Sequence, residues 1–145
     1  YPMIDFLEAH PEVAACQPKI RSFNERNKFE YAGASGGYID FWGYPFCRGR
    51  LFQAIETDHG QYDDITEIFW ASGACLMIRR ECFWEVGGFD EDFFAHMEEI
   101  DLCWRLKNKG YKIMVVPKQQ YFMWEVGLCL RNHGERPILI CVTML

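Results

Sequence analysis

The stretch "GGFDEDFFAHMEEIDLCWRLKNKGYKIMVVP", residues 87–117, decides the fold. It holds six carboxylates: Asp90, Glu91, Asp92, Glu98, Glu99 and Asp101. An amphipathic segment and then an apolar run follow them. The spacing predicts a helix over about 98–109 that stops at Gly110. Leu102, Cys103 and Leu106 form its apolar face. "YKIMVVP" reads as a strand closed by Pro117.

On that helix Glu99 precedes Leu102, Cys103 and Leu106 by three, four and seven positions, so it shares their inward side. Asp101 lies four residues before Arg105, a favourable acid-first pair. Glu99 is therefore the anomaly, a carboxylate turned inward at a helix N-terminus. The helix dipole favours its ionised form. Neighbouring acids and burial favour the protonated form. A carboxylate near that balance can accept a proton from a bound hydroxyl. Two readings stand at this point: these acids cap the helix, or Glu99 is a general base.

Working outward, "RECFWEVGG" fits a short helix with a glycine stop. "EIFWASGACLMIRR" reads as one strand. "EVAACQPKIRS" reads as a short buried strand that runs out into polar residues. "YPMIDFLEAH" has helical spacing and stops at His10-Pro11. Residues 22–66 read as irregular, with "GASGG", "GYP" and "DHGQYDD" as turns. This region carries Phe23, Phe29, Tyr31, Tyr38, Phe41, Trp42, Tyr44 and Phe46. A long aromatic loop is usually held on a surface and is often functional. Strands alternating with helices argue α/β.

The 145 residues fit a single domain at most, and half of them are apolar. Net charge is −6, with no basic stripe, so no nucleic acid is expected as a partner. Seven cysteines include no CxxC pair, which gives a zinc site no support. They read as reduced, buried thiols of a cytoplasmic protein. No apolar run approaches the roughly 18–20 residues that span a bilayer. No signal peptide is visible, and an opening in mid-helix reads as that of a fragment.

"WASGACLMIRRECFWEVGGFDEDFFAHMEEIDLCWRLKNKGYKIMVVP" resembles the second half of a family 2 glycosyltransferase with the GT-A fold. The matching positions are Gly73-Ala74, Arg79-Arg80, Gly87 to Glu91, Glu98-Glu99, Asp101-Leu102, Arg105, Gly110-Tyr111 and Pro117. "HPEVAACQPKIRS", "EYAGASGGYID" and "GYPFCRGR" also resemble a bacterial polysaccharide-type branch.

The resemblance implies an α/β, partial GT-A domain over residues 1–117: the acceptor-side half, a mixed sheet flanked by helices. Cut from its first half, that sheet is expected to expose an edge and an apolar face. The activity implied is inverting transfer of a sugar from a nucleotide-sugar donor to a carbohydrate or lipid-linked acceptor, in polysaccharide or glycolipid synthesis. Glu99 takes the position of the family's usual base, where Asp is commoner. Trp70, Ser72, Gly73, Ala74, Glu98 and Asp101 are the implied substrate-binding residues.

A divalent metal, Mg2+ or Mn2+, is expected for the full-length parent only, since the family's aspartate motif belongs to the missing first half. No metal ligand is assigned in this chain, and "FDEDFF" is a poor stand-in. Peripheral association of the parent with the inner face of the membrane is a further expectation. Turnover by the 145-residue chain alone is not expected.

Residues 118–145 depart from the family pattern and are read as an out-of-frame tail. Met123 and Trp124 each have a single codon, so a shift by one base writes Val-Gly, preceded by His or Tyr. His133 is accordingly not taken as a metal ligand. Two other classes stay open: a non-catalytic carbohydrate- or partner-binding module, and an inert gene fragment.

Overall fold

The computed structural model describes residues 2–93 and 96–123, the last five as backbone only. Their order is α1 (Pro2–Ala9), β1 (Val13–Ser22), β2 (Gly37–Ile39), β3 (Pro45–Cys47), β4 (Arg50–Leu51), β5 (Ala54–Ile55) and β6 (Thr66–Ile68). A 3-10 turn (Gly73–Cys75) follows, then β7 (Met77–Ile78), α2 (Arg80–Glu85), α3 (Glu98–Asn108) and β8 (Lys112–Met123).

The main sheet has the order β6-β8-β1-β7. Strands β1 and β8 run parallel in its centre, and β6 and β7 pair antiparallel at its edges. It is thus a mixed sheet flanked by helices, in accord with a partial GT-A domain. Parallel strands need cover on both faces, and the burial follows that rule. Met3 and Leu7 of α1 pack with Val13, Cys16, Met77 and Val116 on one face. Leu102, Cys103 and Leu106 of α3 pack with Ala15, Ile113 and Val115 on the other. Neighbours Cys16 and Ala15, like Val116 and Val115, take opposite faces, as the two-residue period of a strand requires. Ala14 breaks that alternation by facing the same side as Ala15, where the register shifts between Val13 and Ala15.

Helix α3 begins where the periodicity places it and ends as expected. The Lys109 and Gly110 amides bond back to Leu106 and Lys107, and Gly110 adopts φ 92°. Glycine reaches that left-handed conformation without a Cβ penalty.

Three local expectations are corrected. The segment 67–80 is not one strand. It breaks into β6, the 3-10 turn and β7, because Ser72 turns the chain: its hydroxyl accepts from the Ala74 amide and donates to the Ala32 carbonyl. Residues 22–66 are not all irregular, since β2 to β5 form an antiparallel meander, a second sheet of very short strands. Strand β8 does not close at Pro117 but runs on to Met123. Proline still leaves its mark. The β1–β8 register passes from Gln17↔Val115 to Lys19↔Gln120, with Pro18 and Pro117 in the irregularity. Neither ring nitrogen can donate to the ladder. Residues 124–145, most of the segment read as out of frame, lie outside the described residues.

Candidate functional site

The site forms where α3 meets the 3-10 turn and the meander. Helix α3 starts at Glu98, after His96 and Met97, both left-handed at φ 73° and 75°. Two consecutive non-glycine residues in that region are sterically costly. They aim the first turn of the helix into the protein, and both members of the acidic pair go inward. Glu98 is 5% exposed, and neither of its carboxylate oxygens has a hydrogen-bond partner. Glu99 is half-buried, and its Oε2 is buried and unpartnered.

The Glu99 carboxyl is held above its ordinary value. Burial is the main cause, and the Glu98 charge adds to it. The backbone N–H groups of Glu99 and Gly73, with His96, pull the other way and do not prevail. The structure therefore sets Glu99 beside the Gly73 backbone. The helical face predicted its inward direction, but Glu98 is the more deeply buried of the two. That burial was hidden in the sequence because Glu98 depends on the turn before the helix as well as on helical spacing.

The other proposed site residues gather nearby. Trp70 is buried, and its indole N–H donates to the Tyr38 carbonyl at 3.0 Å. Its ring lies over Gly37, where a Cβ would overlap the indole. Ser72 is buried, and its amide donates to buried Gln17 at 2.8 Å. The polar groups of Trp70 and Ser72 thus bind protein. Gly73 is buried and Ala74 half-buried. Asp101 accepts from Arg105 Nε at 2.8 Å, the expected pair four residues apart, and Arg105 also reaches the Val86 carbonyl.

The sequence reading missed Cys47 and Arg50. The Cys47 thiol is pushed up by burial, drawn down by Arg50 and raised again by Glu99. Arg50 bonds that sulfur, and the Glu99 charge bears on it as well. Arg50 also stacks on Tyr31, its guanidinium carbon 4.0 Å from the ring centre. The only available signal was "GYPFCRGR", which the sequence reading took as part of the family resemblance without giving Cys47 or Arg50 a role in the site.

The aromatics of residues 22–46 divide sharply. Phe29 is fully buried. Phe41 and Trp42 are 93% and 80% exposed, on a turn in which Asp40 accepts from the Trp42 and Tyr44 amides at 2.8 Å each. Among the described residues no three His, Cys, Asp or Glu side chains converge to hold a metal ion. The described residues thus supply no such set for the divalent cation expected of the parent. No helix among them is long and apolar enough to cross a membrane.

No family model matches the chain. It is 47% identical over 51 residues to N-acetylglucosaminyl-diphospho-decaprenol L-rhamnosyltransferase of Mycobacterium tuberculosis, covering 35% of this chain and 17% of that protein. It is 39% identical over 56 residues to rhamnosyltransferase WbbL of Escherichia coli, covering 39% of this chain and 21% of that protein. The O-antigen biosynthesis protein RfbC of Myxococcus xanthus is 33% identical over 105 residues, 72% of this chain and 8% of that protein. The matched stretches thus span about a fifth or less of these relatives' lengths.

Proposed function

Taking as premise that the chain belongs with the family 2 glycosyltransferases of the polysaccharide-type branch, we propose that it is the acceptor-side part of an inverting enzyme. Its parent moves a sugar from a nucleotide-sugar donor to a hydroxyl of a carbohydrate or lipid-linked acceptor. The names of the relatives, rhamnosyltransferases and an O-antigen biosynthesis protein, support that reading.

One observation carries the chemistry: a half-buried Glu99 carboxylate, raised in pKa, set against the Gly73 backbone N–H and with its Oε2 left without a partner. A free oxygen can accept a hydrogen bond from an incoming hydroxyl. A raised pKa makes the carboxylate a better base once ionised. In the proposed step the acceptor oxygen gives its proton to Glu99 and attacks the anomeric carbon. The bond from that carbon to the nucleotide diphosphate breaks on the opposite face, so configuration inverts and the diphosphate departs with the electron pair. Glu98 and Asp101 shape the pocket, Asp101 through its pair with Arg105.

The divalent metal proposed for the parent would be held by residues outside this chain, and no step here runs through it. We propose further that the parent works at the cytoplasmic face of the membrane, that the tail from about residue 118 is out of frame, and that the chain alone does not turn over. The test is a parent-length enzyme carrying this segment, assayed for transfer with Glu and with Gln at 99. Transfer by the Gln variant at the rate of the unaltered enzyme would sink the assignment.

A further inference from the structure

The meander carries a group of large apolar side chains that the fold leaves in solvent: Phe41, Trp42, Tyr44, Leu51 and Phe52. Single exposed apolar residues are ordinary, but a cluster of them marks a contact surface. The topology brings these five to one end of the small sheet. Ile39 pairs with Pro45 beside the β2–β3 turn, and Leu51 with Ala54 beside the β4–β5 turn. Alternate hairpins of a meander turn at the same end. The β3–β4 turn lies at the other end and is fastened to the body. There Gly49 packs on Phe29, the Arg48 amide donates to the Gly36 carbonyl, and the Arg48 carbonyl accepts from the Ser35 amide.

Both aromatic turns are held stiffly. The Asp40 amide donates to the Tyr44 carbonyl and the Gly43 amide to the Asp40 carbonyl, each at 3.0 Å. The Phe41 and Trp42 rings meet edge to face, with centroids 5.4 Å apart. Phe52 is 84% exposed and sits at φ 52°, in a two-residue turn where glycine or asparagine is favoured. A phenylalanine there strains the backbone and gains no burial within the chain.

The charge pattern selects the occupant. Residues 41–55 hold two arginines and no carboxylate, in a chain of net charge −6. The acid beside them, Asp40, turns its Oδ1 back to the Trp42 and Tyr44 amides. This end of the meander therefore offers lipid phosphates little repulsion. The arginines are occupied, Arg48 by Asp64 at 2.5 Å and Arg50 on the Tyr31 ring, so the attraction is apolar rather than ionic. Trp and Tyr are the side chains that settle at the headgroup level of a bilayer. Two separate convex turns suit that soft interface. A standard protein partner needs about 800 Å2 of continuous surface on each side.

We infer that the β2–β3 and β4–β5 turns seat in the interface of a lipid bilayer, with Trp42 and Phe52 as the main anchors. The choice of a bilayer rests on the reading of the chain as part of an enzyme serving a lipid-linked acceptor. It gives the membrane side proposed above a named surface. The Gly37 amide donates to the Trp70 carbonyl at the base of β2. Four residues of chain from Gly37 to Phe41 span roughly 13 Å, at about 3.3 Å each. Docking by the turns thus sets the candidate site at a fixed height above the lipid.

The test is flotation of the full chain with vesicles of phosphatidylcholine, alone and with phosphatidylglycerol added. Bound chain rises with the vesicles, and aggregate sinks. The chain should float with both, and a tenfold rise in salt should change the bound fraction by less than about twofold. Trp42→Ser and Phe52→Asn should each lower the partition coefficient about tenfold, the worth of one large apolar side chain. Both side chains stand in solvent, so thermal melts should not fall; asparagine at 52 also suits the left-handed turn. Lipids brominated along the acyl chain should quench the unaltered chain more than Trp42→Phe.

Vesicles that float without the chain overturn the inference. So does a partition coefficient that neither variant lowers, or binding that requires phosphatidylglycerol and vanishes in salt. A chain that ignores vesicles but self-associates through Trp42 assigns the turns to a second copy. One that ignores vesicles but binds dextran through Trp42 assigns them to a carbohydrate, and either result overturns the bilayer. Vesicle binding through the turns, in a parent whose transfer ignores Glu99, leaves this inference standing and sinks the catalytic reading. A parent that needs Glu99, with a chain that ignores vesicles, does the reverse.

Discussion

The Glu99 carboxylate and the Gly73 backbone N–H face each other between the first turn of α3 and the 3-10 turn. The sequence holds these groups far apart, and only the fold puts an acid against that backbone. The contact pulls the Glu99 pKa down, yet burial and Glu98 outweigh it. A base in this state must lose its proton before it can work. In a parent-length enzyme the acid limb of the pH–rate profile should therefore lie above the ordinary glutamate range, near pH 4.3. Glu99→Gln should lower kcat by about 10²–10⁴, the usual worth of a general base. Initial rates across a pH series check both.

The same raised pKa predicts a change in stability. Folding favours the protonated form of Glu99, so its stabilising share is present below the unfolded pKa and is lost as pH rises through the higher, folded value. At neutral pH the ionised group weighs against the fold. Glu99→Gln is isosteric and uncharged, so its thermal midpoint should exceed that of the unaltered chain at pH 7 and converge with it in acid. Paired melts at pH 7 and below pH 4 measure the difference. A Gln variant that melts lower at pH 7 would contradict the burial of this charge.

A second buried charge should behave in the opposite sense. Lys19, 1% exposed in the middle of β1, bonds Asp58 at 2.9 Å and also Asp63. Burial alone would raise the Asp58 carboxyl, but the Gly60 amide, Lys19 and Arg21 hold it below the usual carboxylate range. Its stabilising share is therefore present above the unfolded pKa and lost as pH falls through the folded one. The Asp58 side chain is 4% exposed and that of Asp63 is 63% exposed. Lys19→Met takes the nearest cation from a buried carboxylate that keeps Arg21 and the Gly60 amide, and should cost about 1.5–3 kcal/mol. Asp63→Asn removes a largely solvated partner and should cost under about 1 kcal/mol. Urea denaturation of both variants separates the two.

Much of this architecture was legible in the residue order. The period of Leu102, Cys103 and Leu106 gave α3, and Gly110 gave its end. The acidic pair pointed to a helix start that the fold does turn inward, and the names of the relatives agree with the polysaccharide-type glycosyltransferase reading. What escaped was set at a distance. The break between β6 and β7 depends on Ser72 bonding Ala32 and Gln17, partners far off in the chain. The meander strands are two or three residues long, too short to show a period. Arg50 gained a setting only when Cys47 and Tyr31 closed around it.

The close approach of Gly37 to Trp70 gives a direct packing test. Gly37 lies under the indole and exchanges backbone bonds with the Phe69 and Trp70 segment. Its backbone angle is ordinary, so the cost of an added methyl comes from overlap with the ring. Overpacking of this kind costs about 1–3 kcal/mol. Gly37→Ala should lower stability by that amount and shift the tryptophan emission, because Trp70 must leave its buried seat. Gly43→Ala gives the contrast, since nothing lies within 4 Å of an added Cβ there. Its left-handed φ of 87° makes the penalty one of backbone strain, so Gly43→Ala should lose stability without altering the emission of Trp70.

The thiols offer a last test of the core. Cys16 in β1 and Cys103 in α3 lie on opposite faces of the main sheet and are both fully buried. Burial pushes each thiol up to about 12, with Arg79 drawing Cys16 down and the Ala71 backbone drawing Cys103 down. The thiolate is the reactive form, and at such a value about one thiol in 10⁵ is ionised at pH 7. Alkylation of the native chain with iodoacetamide should therefore leave Cys16 and Cys103 unmodified over a period that fully labels them in urea. Peptide mass spectrometry reads each site separately. Labelling of Cys103 as fast in the native chain as in urea would mean that α3 does not seal its face of the sheet, and the inward placement of Glu98 and Glu99 would fall with it.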